Sequence, residues 1–328
     1  MATSVTGGAI RTIFQAPSWL RASSVDIGGT TAVVLLFLPP ALFLFTLFVA
    51  LPMGEAAWYS FYSWNGYGEP TDFVGWRNFE LLFANRAFRI ALTNNLLIIV
   101  VSLAIQLPLA LGMAVLLADR MRGTATFRLI FFLPYILAEI AAGLIWRFVY
   151  DGEYGLLAKL WELFGATPPH VLAEPDIAIY AIMVVVVWKY FGFHMMLYIA
   201  GLQQIDRSLY EAAHIDGATG WQIFRRITVP LLGSTIRLSV FFAILGSIQL
   251  FDLIMPLTKG GPSDSTQTMV TYLYSYGVTR MRIGFGSAVG VVLFLICVVF
   301  AFGYKRVLMR HDEHRRPLRY AGHHRSGP

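Results

Sequence analysis

Charge is scarce in this chain of 328 residues: only 13% of positions are Asp, Glu, Lys or Arg, against about 25% in soluble domains. That shortage excludes an ordinary soluble enzyme of this size. Cysteine is nearly absent as well. Cys297 stands alone inside an apolar run, which rules out an intrachain disulfide and a cysteine-based metal cluster. No Gly-x-x-x-x-Gly-Lys-Ser/Thr loop occurs, so the chain carries no Walker phosphate cradle of its own. What is abundant is apolar: 57% of residues are hydrophobic and the mean hydropathy is +0.62. One soluble core cannot hide that much surface, whereas stretches of about 20 apolar residues each cross a hydrocarbon layer of about 30 Å.

Six stretches meet that length, at 31–53, 92–117, 129–150, 177–202, 234–257 and 285–308. The expected fold is an all-α polytopic integral membrane protein with six transmembrane helices over 31–308, a short N-terminal segment 1–30 and a polar tail 309–328. The first stretch is too long for a signal-peptide core and is read as a retained anchor. Basic residues decide the orientation. Sixteen lie in the N-terminus (Arg11, Arg21), second loop (Arg120, Arg122, Arg128), fourth loop (Arg207, Arg225, Arg226, Arg237) and tail, and eight in the alternate loops. The positive-inside rule therefore puts both termini in the cytoplasm. The net charge of +6 sits beside membrane segments and does not call for a nucleic-acid partner. Trp58, Tyr59, Tyr62, Trp64 and Tyr67 follow the first stretch, where amphipathic rings suit the lipid–water boundary or a partner. His311, His314, His323 and His324 in the tail read as a solvated segment and not as a metal site.

The fourth loop, 208–230, carries more information than a polar connector needs. Ser208 with Glu211, and Thr219 with Gln222, each fit a capping box, and Gly217 between them suits a left-handed turn. This predicts a short helix, a glycine turn and a second amphipathic helix that places Trp221, Phe224 and Ile227 at spacings of three, with Arg225 and Arg226 elsewhere. Small Ala212 and Ala213 beside acidic Glu211 and Asp216 make the first helix a docking knob for another protein's backbone. A lipid-surface helix would be cation-rich instead.

Glu211-Ala-Ala-His-Ile-Asp-Gly217, followed by Phe224 and Pro230, resembles the cytoplasmic "EAA" loop of the membrane subunits of ATP-binding-cassette importers. Asn94-Asn95, Arg128-Leu-Ile-Phe-Phe-Leu-Pro134-Tyr135, Ala200-Gly201-Leu202-Gln203 and Thr258-Lys-Gly260-Gly261-Pro262 with Thr266 are similar to the carbohydrate branch of that family. The likeness runs from about Phe61 to Arg306. His214 and Asn95 are departures; many relatives have threonine in place of Asn95. The resemblance implies a type I importer permease with a coupling helix, in the cytoplasmic membrane of a bacterium or archaeon. A second, different permease, a cytoplasmic ATPase dimer holding ATP and Mg, and a periplasmic or lipid-anchored solute-binding protein would complete it. No cofactor is expected on this chain. The loop would seat in a groove of the ATPase, with Glu211 either contacting a basic ATPase residue or serving only as an internal cap.

Glu139, Lys189 and Asp252 are ionisable groups inside apolar runs, where a bare charge costs roughly 2.5–3.5 kcal/mol. One reading is a solute pathway: Tyr135 and Glu139 share a face at i, i+4, Trp188 and Gly192 do likewise, and Ser247 and Gln249 lie at mid-depth. Rings with hydroxyl, amide and carboxylate groups suit a polyol. The other is that Lys189 pairs with Glu139 or Asp252 between helices, or snorkels. A membrane-embedded enzyme would need an organised cluster, and Glu139, His194 and Asp252 match no metal or nucleophile motif. A secondary transporter would show related halves, and none are visible.

Overall fold

The computed structural model describes residues 27–118 and 123–309. The N-terminal segment with Arg11 and Arg21, the loop arginines Arg120 and Arg122, and the histidine-bearing tail lie outside the described residues. The described chain divides into two units, up to Glu55 and from Ala56.

The first unit is helical: α1 (Ile27–Phe45) contains Pro39 and Pro40 and leads through a wide π-type turn, Thr46–Ala50, into α2 (Leu51–Tyr59). The helix Val33–Tyr59, which runs past the boundary at Glu55, counts 27 residues, about 40 Å at 1.5 Å each, enough to cross a bilayer.

In the second unit α3 (Arg77–Ala84) is tied to the preceding loop by Asn78, whose Nδ2 donates to the carbonyls of Ser60 (2.8 Å) and Tyr62 (2.9 Å). The Asn85 side chain then caps α4 (Arg86–Val101) by accepting from Ala87 N–H. A wide turn at Ser102–Gln106 joins α4 to α5 (Leu107–Ala118), making one rod of 33 residues. Arg128 donates to the carbonyls of Leu117 and Ala118, closing the end of α5.

The third apolar stretch does not run straight through. It forms α6 (Thr124–Ile136) and α7 (Glu139–Val149), bent by 97°. Pro134 cannot donate its N–H, and Leu137 and Ala138 adopt extended ψ near 140° and 138°, so the helix stops. The short α8 (Leu156–Leu163) follows, and α9 (Pro175–Leu202) is the longest helix. A Cβ on Gly192 would stand 2.0 Å from the Phe131 carbonyl oxygen, so only glycine lets α9 lie this close to α6.

The fourth loop forms α10 (Arg207–Ile215) and α11 (Gly220–Ile223), then a wide turn at Phe224–Thr228 and α12 (Val229–Leu231). A 70° bend separates Gly220–Leu231 from α13 (Gly233–Ile248). The fifth stretch, expected to reach residue 257, therefore stops as a helix at Ile248. A non-helical passage leads to the short α14 (Ile254–Leu257), which packs on α7 where Gly143 gives room: a Cβ there would meet Leu253 O at 2.9 Å. Next come α15 (Met269–Tyr272), a wide turn at Leu273–Val278 and α16 (Ile283–Tyr304).

Among the described residues four helices are long and apolar enough to cross a membrane, and each bent pair counted as one span brings the number to six. Three buried apolar clusters hold the second unit. One joins α4, α7, α9 and α14 around Ile98, Ile182 and Leu253; another joins α3, α4, α15 and α16 around Leu82, Tyr272 and Phe285; the third lies along α5 and α9 through Ala110, Ala114 and Tyr198.

Candidate functional site

The break between α6 and α7 exposes carbonyls that a continuous helix would have used. Lys189 of α9, 1% exposed, supplies the missing donors: Nζ donates to Pro134 O (2.9 Å), Tyr135 O (3.0 Å) and Leu137 O (2.5 Å). An ammonium has three N–H groups and three acceptors meet them, and its charge suits the negative end of α6. Lys189 is thus neither an ion-pair partner of Glu139 or Asp252 nor a snorkel.

Beside this knot lies a cavity of about 460 Å³. Tyr135 forms part of its wall, stacked on Phe193 with centroids 4.9 Å apart. Glu139 lines it too, with Oε1 accepting from Tyr190 OH at 2.7 Å. Ser247, Gln249 and Asp252 come from the end of α13 and the passage after it. Tyr135 and Glu139 reach the same cavity across the bend, and not as i, i+4 neighbours on one helix. Trp188, Lys189 and Gly192 do not line it: Trp188 packs edge-on against Trp146 (5.3 Å), Lys189 is enclosed by carbonyls and Gly192 is pressed on α6. Ser102 and Gln106 were not singled out in the sequence, and His194 was named there only as a possible enzyme group and not as part of the pathway. Ser102 and Gln106 are buried polar residues of the wide turn, bonded to each other at 3.3 Å, and His194 Nδ1 meets Ser239 Oγ at 2.7 Å. Polar side chains in an otherwise apolar run were the available signal.

The end of α13 and the loop leading into α15 are held by the asparagine pair of α4. Asn94 Nδ2 donates to the carbonyls of Ser265 (2.8 Å) and Gln267 (2.9 Å). Asn95 donates to Ser247 O (2.6 Å) and accepts from Met269 N–H (2.9 Å). Gly260 has φ +85°, and a Cβ on it would strike the Gln267 side chain at 2.5 Å, so the Gly-Gly-Pro stretch closes tightly over that residue.

At the elbow, Asp206 caps α10 by accepting from Ser208 N–H (3.0 Å), so the expected Ser208 capping box gives way to a helix that starts two residues earlier. The Ser208 backbone and hydroxyl hold the Asp206 carboxyl below its ordinary range. The C-terminus is a Schellman closure: Ala218 N–H reaches Ala213 O (2.9 Å), Gly217 N–H reaches His214 O (3.1 Å), and Gly217 has φ +73°. Thr219 and Gln222 form the reciprocal capping box of α11 (2.8 and 3.4 Å). Glu211, Ala212, Asp216, Arg225 and Arg226 are exposed, while Ala213 and Phe224 are half-buried. The wide turn changes the expected spacing. Ile223 and Thr228 point inward, and Trp221, 68% exposed, stacks on Phe224 at 5.4 Å. Ile215 is 87% exposed. A cavity of about 830 Å³ lies against this elbow between Arg128, Tyr210 and His214.

A helical membrane protein with a broken span over a polar cavity, and a capped elbow at one span's base, is a transport permease. The chain belongs to the family described as "Binding-protein-dependent transport system inner membrane component", which matches residues 124–310. It is 32% identical over 299 residues to the Sulfoquinovosyl glycerol transport system permease protein SmoG of Agrobacterium fabrum, covering 91% of this chain and 96% of the relative. To the Trehalose/maltose transport system permease protein MalF of Thermococcus litoralis it is 30% identical over 272 residues, covering 83% and 92%. Its fold is similar to a chain in the crystal structure of a bacterial alginate ABC transporter in complex with an alginate pentasaccharide-bound periplasmic protein. That match has a TM-score of 0.76 and 21% identity over 87% of this chain and 96% of the other.

Proposed function

We propose that this chain forms half of the translocation pathway of an ATP-driven importer for a sugar, oligosaccharide or related polyol. The observation that carries the reading is the 460 Å³ cavity, in which Tyr135 and Phe193 offer ring faces beside Glu139, Ser247, Gln249 and Asp252. Ring faces stack on the C–H side of a sugar while hydroxyls exchange hydrogen bonds with the polar groups. The transport systems for which the matched relatives are named point to the same solute class.

The remaining parts follow from the family and the elbow. A second permease completes the cavity, an extracytoplasmic binding protein delivers solute, and a separate ATPase pair holds ATP and Mg. The elbow, on the cytoplasmic side with both termini, takes up the ATPase's motion. Glu211, Ala212, Ala213, Asp216 and Gly217 form the docking surface, flanked by Phe224, Arg225 and Arg226. Exposed Ile215 and Trp221 supply the apolar contact that a stable dock needs. Stiffness is essential there, because a soft joint would absorb the displacement, and the Asp206 cap, the Schellman closure and the Thr219–Gln222 box provide it.

The test is uptake into proteoliposomes holding this chain, its second permease and its ATPase, with the binding protein outside and ATP inside. The expected result is ATP-dependent accumulation of a carbohydrate. ATP-independent accumulation, or accumulation of no carbohydrate from a broad mixture, sinks the reading.

A further inference from the structure

Taking the carbohydrate reading as its basis, the cavity wall also carries a statement about charge. Glu139, the first residue of α7, and Asp252, in the passage between α13 and α14, both line it. Among the described residues no lysine or arginine lines it. The nearby ammonium of Lys189 is enclosed, with its N–H groups donated to three carbonyls. It lies within electrostatic reach of Glu139 and offsets that carboxylate's field, but it offers a solute no donor. Asp252 is exposed at the wall and faces no cation there. The end of α13 enters the same wall through Ser247 and Gln249, bringing the negative end of a helix dipole. Tyr190 fixes Glu139 by the 2.7 Å hydrogen bond, so this carboxylate cannot swing aside to make way for an anion without breaking that bond.

We propose that Glu139 and Asp252 make this half of the pathway a charge filter, which accepts uncharged and amino-bearing oligosaccharides and disfavours those carrying carboxylate, sulfonate or phosphate groups. A sugar hydroxyl or ammonium donates to a carboxylate. The carboxylate of a uronate cannot, and is repelled by it. At cavity distances and an intermediate effective dielectric, one unit charge changes affinity by about tenfold. The sign of this effect belongs to these two side chains, whatever the second permease contributes. Neither the fold nor the family dictates it: the alginate importer of similar fold is described as importing an acidic polysaccharide, and the 32% identical relative is named for sulfoquinovosyl glycerol, which carries a sulfonate.

The experiment measures equilibrium binding of maltotriose, the glucosamine trimer and trigalacturonate to the assembled permease–ATPase complex without its binding protein, so that selection by that protein does not enter. The wild type is compared with Glu139→Gln, Asp252→Asn and the double variant. The expected result is trigalacturonate binding at least tenfold weaker than maltotriose, with the gap narrowing at least tenfold in the double variant through tighter trigalacturonate binding. The glucosamine trimer should lose affinity in the same variant. If the double variant does not assemble, Asp252→Asn alone, at the exposed position, carries the comparison. Equal binding of neutral and acidic trimers by the wild type, or a gap unchanged when the carboxylates are removed, overturns the filter. Such a result in a complex that still imports carbohydrate with its binding protein leaves the transport reading standing. A complete system that imports no carbohydrate removes that reading instead.

Discussion

Lys189 shows how one side chain can carry a local fold. Three carbonyls released by the end of α6 converge on its Nζ, and the lysine itself is buried. Lys189→Met keeps the length and removes all three donors, leaving part-buried acceptors unpaired at a cost of about 3 kcal/mol in total. The expected outcome is a clear fall in the melting temperature of the detergent-solubilised chain, with loss of the Tyr135–Glu139 geometry. An unchanged melting temperature would show that water or another donor replaces the ammonium. At Asp206 the effect is one of pH. Its carboxyl is held below its ordinary range by the Ser208 N–H and hydroxyl, so the cap is fully present above the ordinary carboxylate pKa and is lost as pH falls through the lowered value. The protection factors of the Ser208 and Leu209 amides, with the intrinsic pH dependence of exchange divided out, should therefore fall in acid, and Asp206→Asn should flatten that dependence. The sequence showed that Lys189 was out of place in an apolar run. It did not show the acceptors, because they are backbone atoms freed only once α6 has broken.

Among the elements, the elbow was the most legible in sequence and the broken spans the least. Glycine at 217, the Thr219–Gln222 pair and the exposed Glu211 and Asp216 all rest on short-range geometry, which spacing encodes. The bend in the third stretch depends on Pro134 together with a lysine more than fifty residues away, and hydropathy sees only a continuous apolar run. The end of α13 at Ile248 likewise depends on Asn95 reaching Ser247 from another helix. The elbow also yields a graded test. Gly217 has φ +73° yet nothing stands within 4 Å of an added Cβ, so the penalty for alanine, roughly 1–2 kcal/mol, comes from the backbone and not from crowding. Asparagine, which tolerates that conformation, should fold nearly as well as glycine in the isolated chain. In the assembled transporter Gly217→Asn should uncouple ATP hydrolysis from uptake if the ATPase packs against the turn. Equal coupling ratios for glycine and asparagine would place the contact elsewhere on the elbow.

For the whole molecule, composition alone set the class: too little charge for a soluble chain, and enough apolar length for up to six crossings. Orientation was read from arginine and lysine placement, and it has a direct check. Cys297 is the sole cysteine, so Cys297→Ser provides a blank background in which single cysteines can be placed at will. A cysteine at His214 should react with a membrane-impermeant maleimide only in inverted vesicles, and one at Ser263 only in intact right-side-out cells. The reverse pattern would turn the protein over and detach the elbow from any cytoplasmic motor.

One detail of the second span has a use in engineering. The wide turn at Ser102–Gln106 holds one residue more than ordinary winding requires, and that surplus is taken up within a single turn. Deleting one residue there would let α4 and α5 run on as an unbroken coil with their outward faces kept in register. Such a shortened variant would redraw one patch of the cavity wall, where Ser102 and Gln106 now sit, and leave the rest of the scaffold in place.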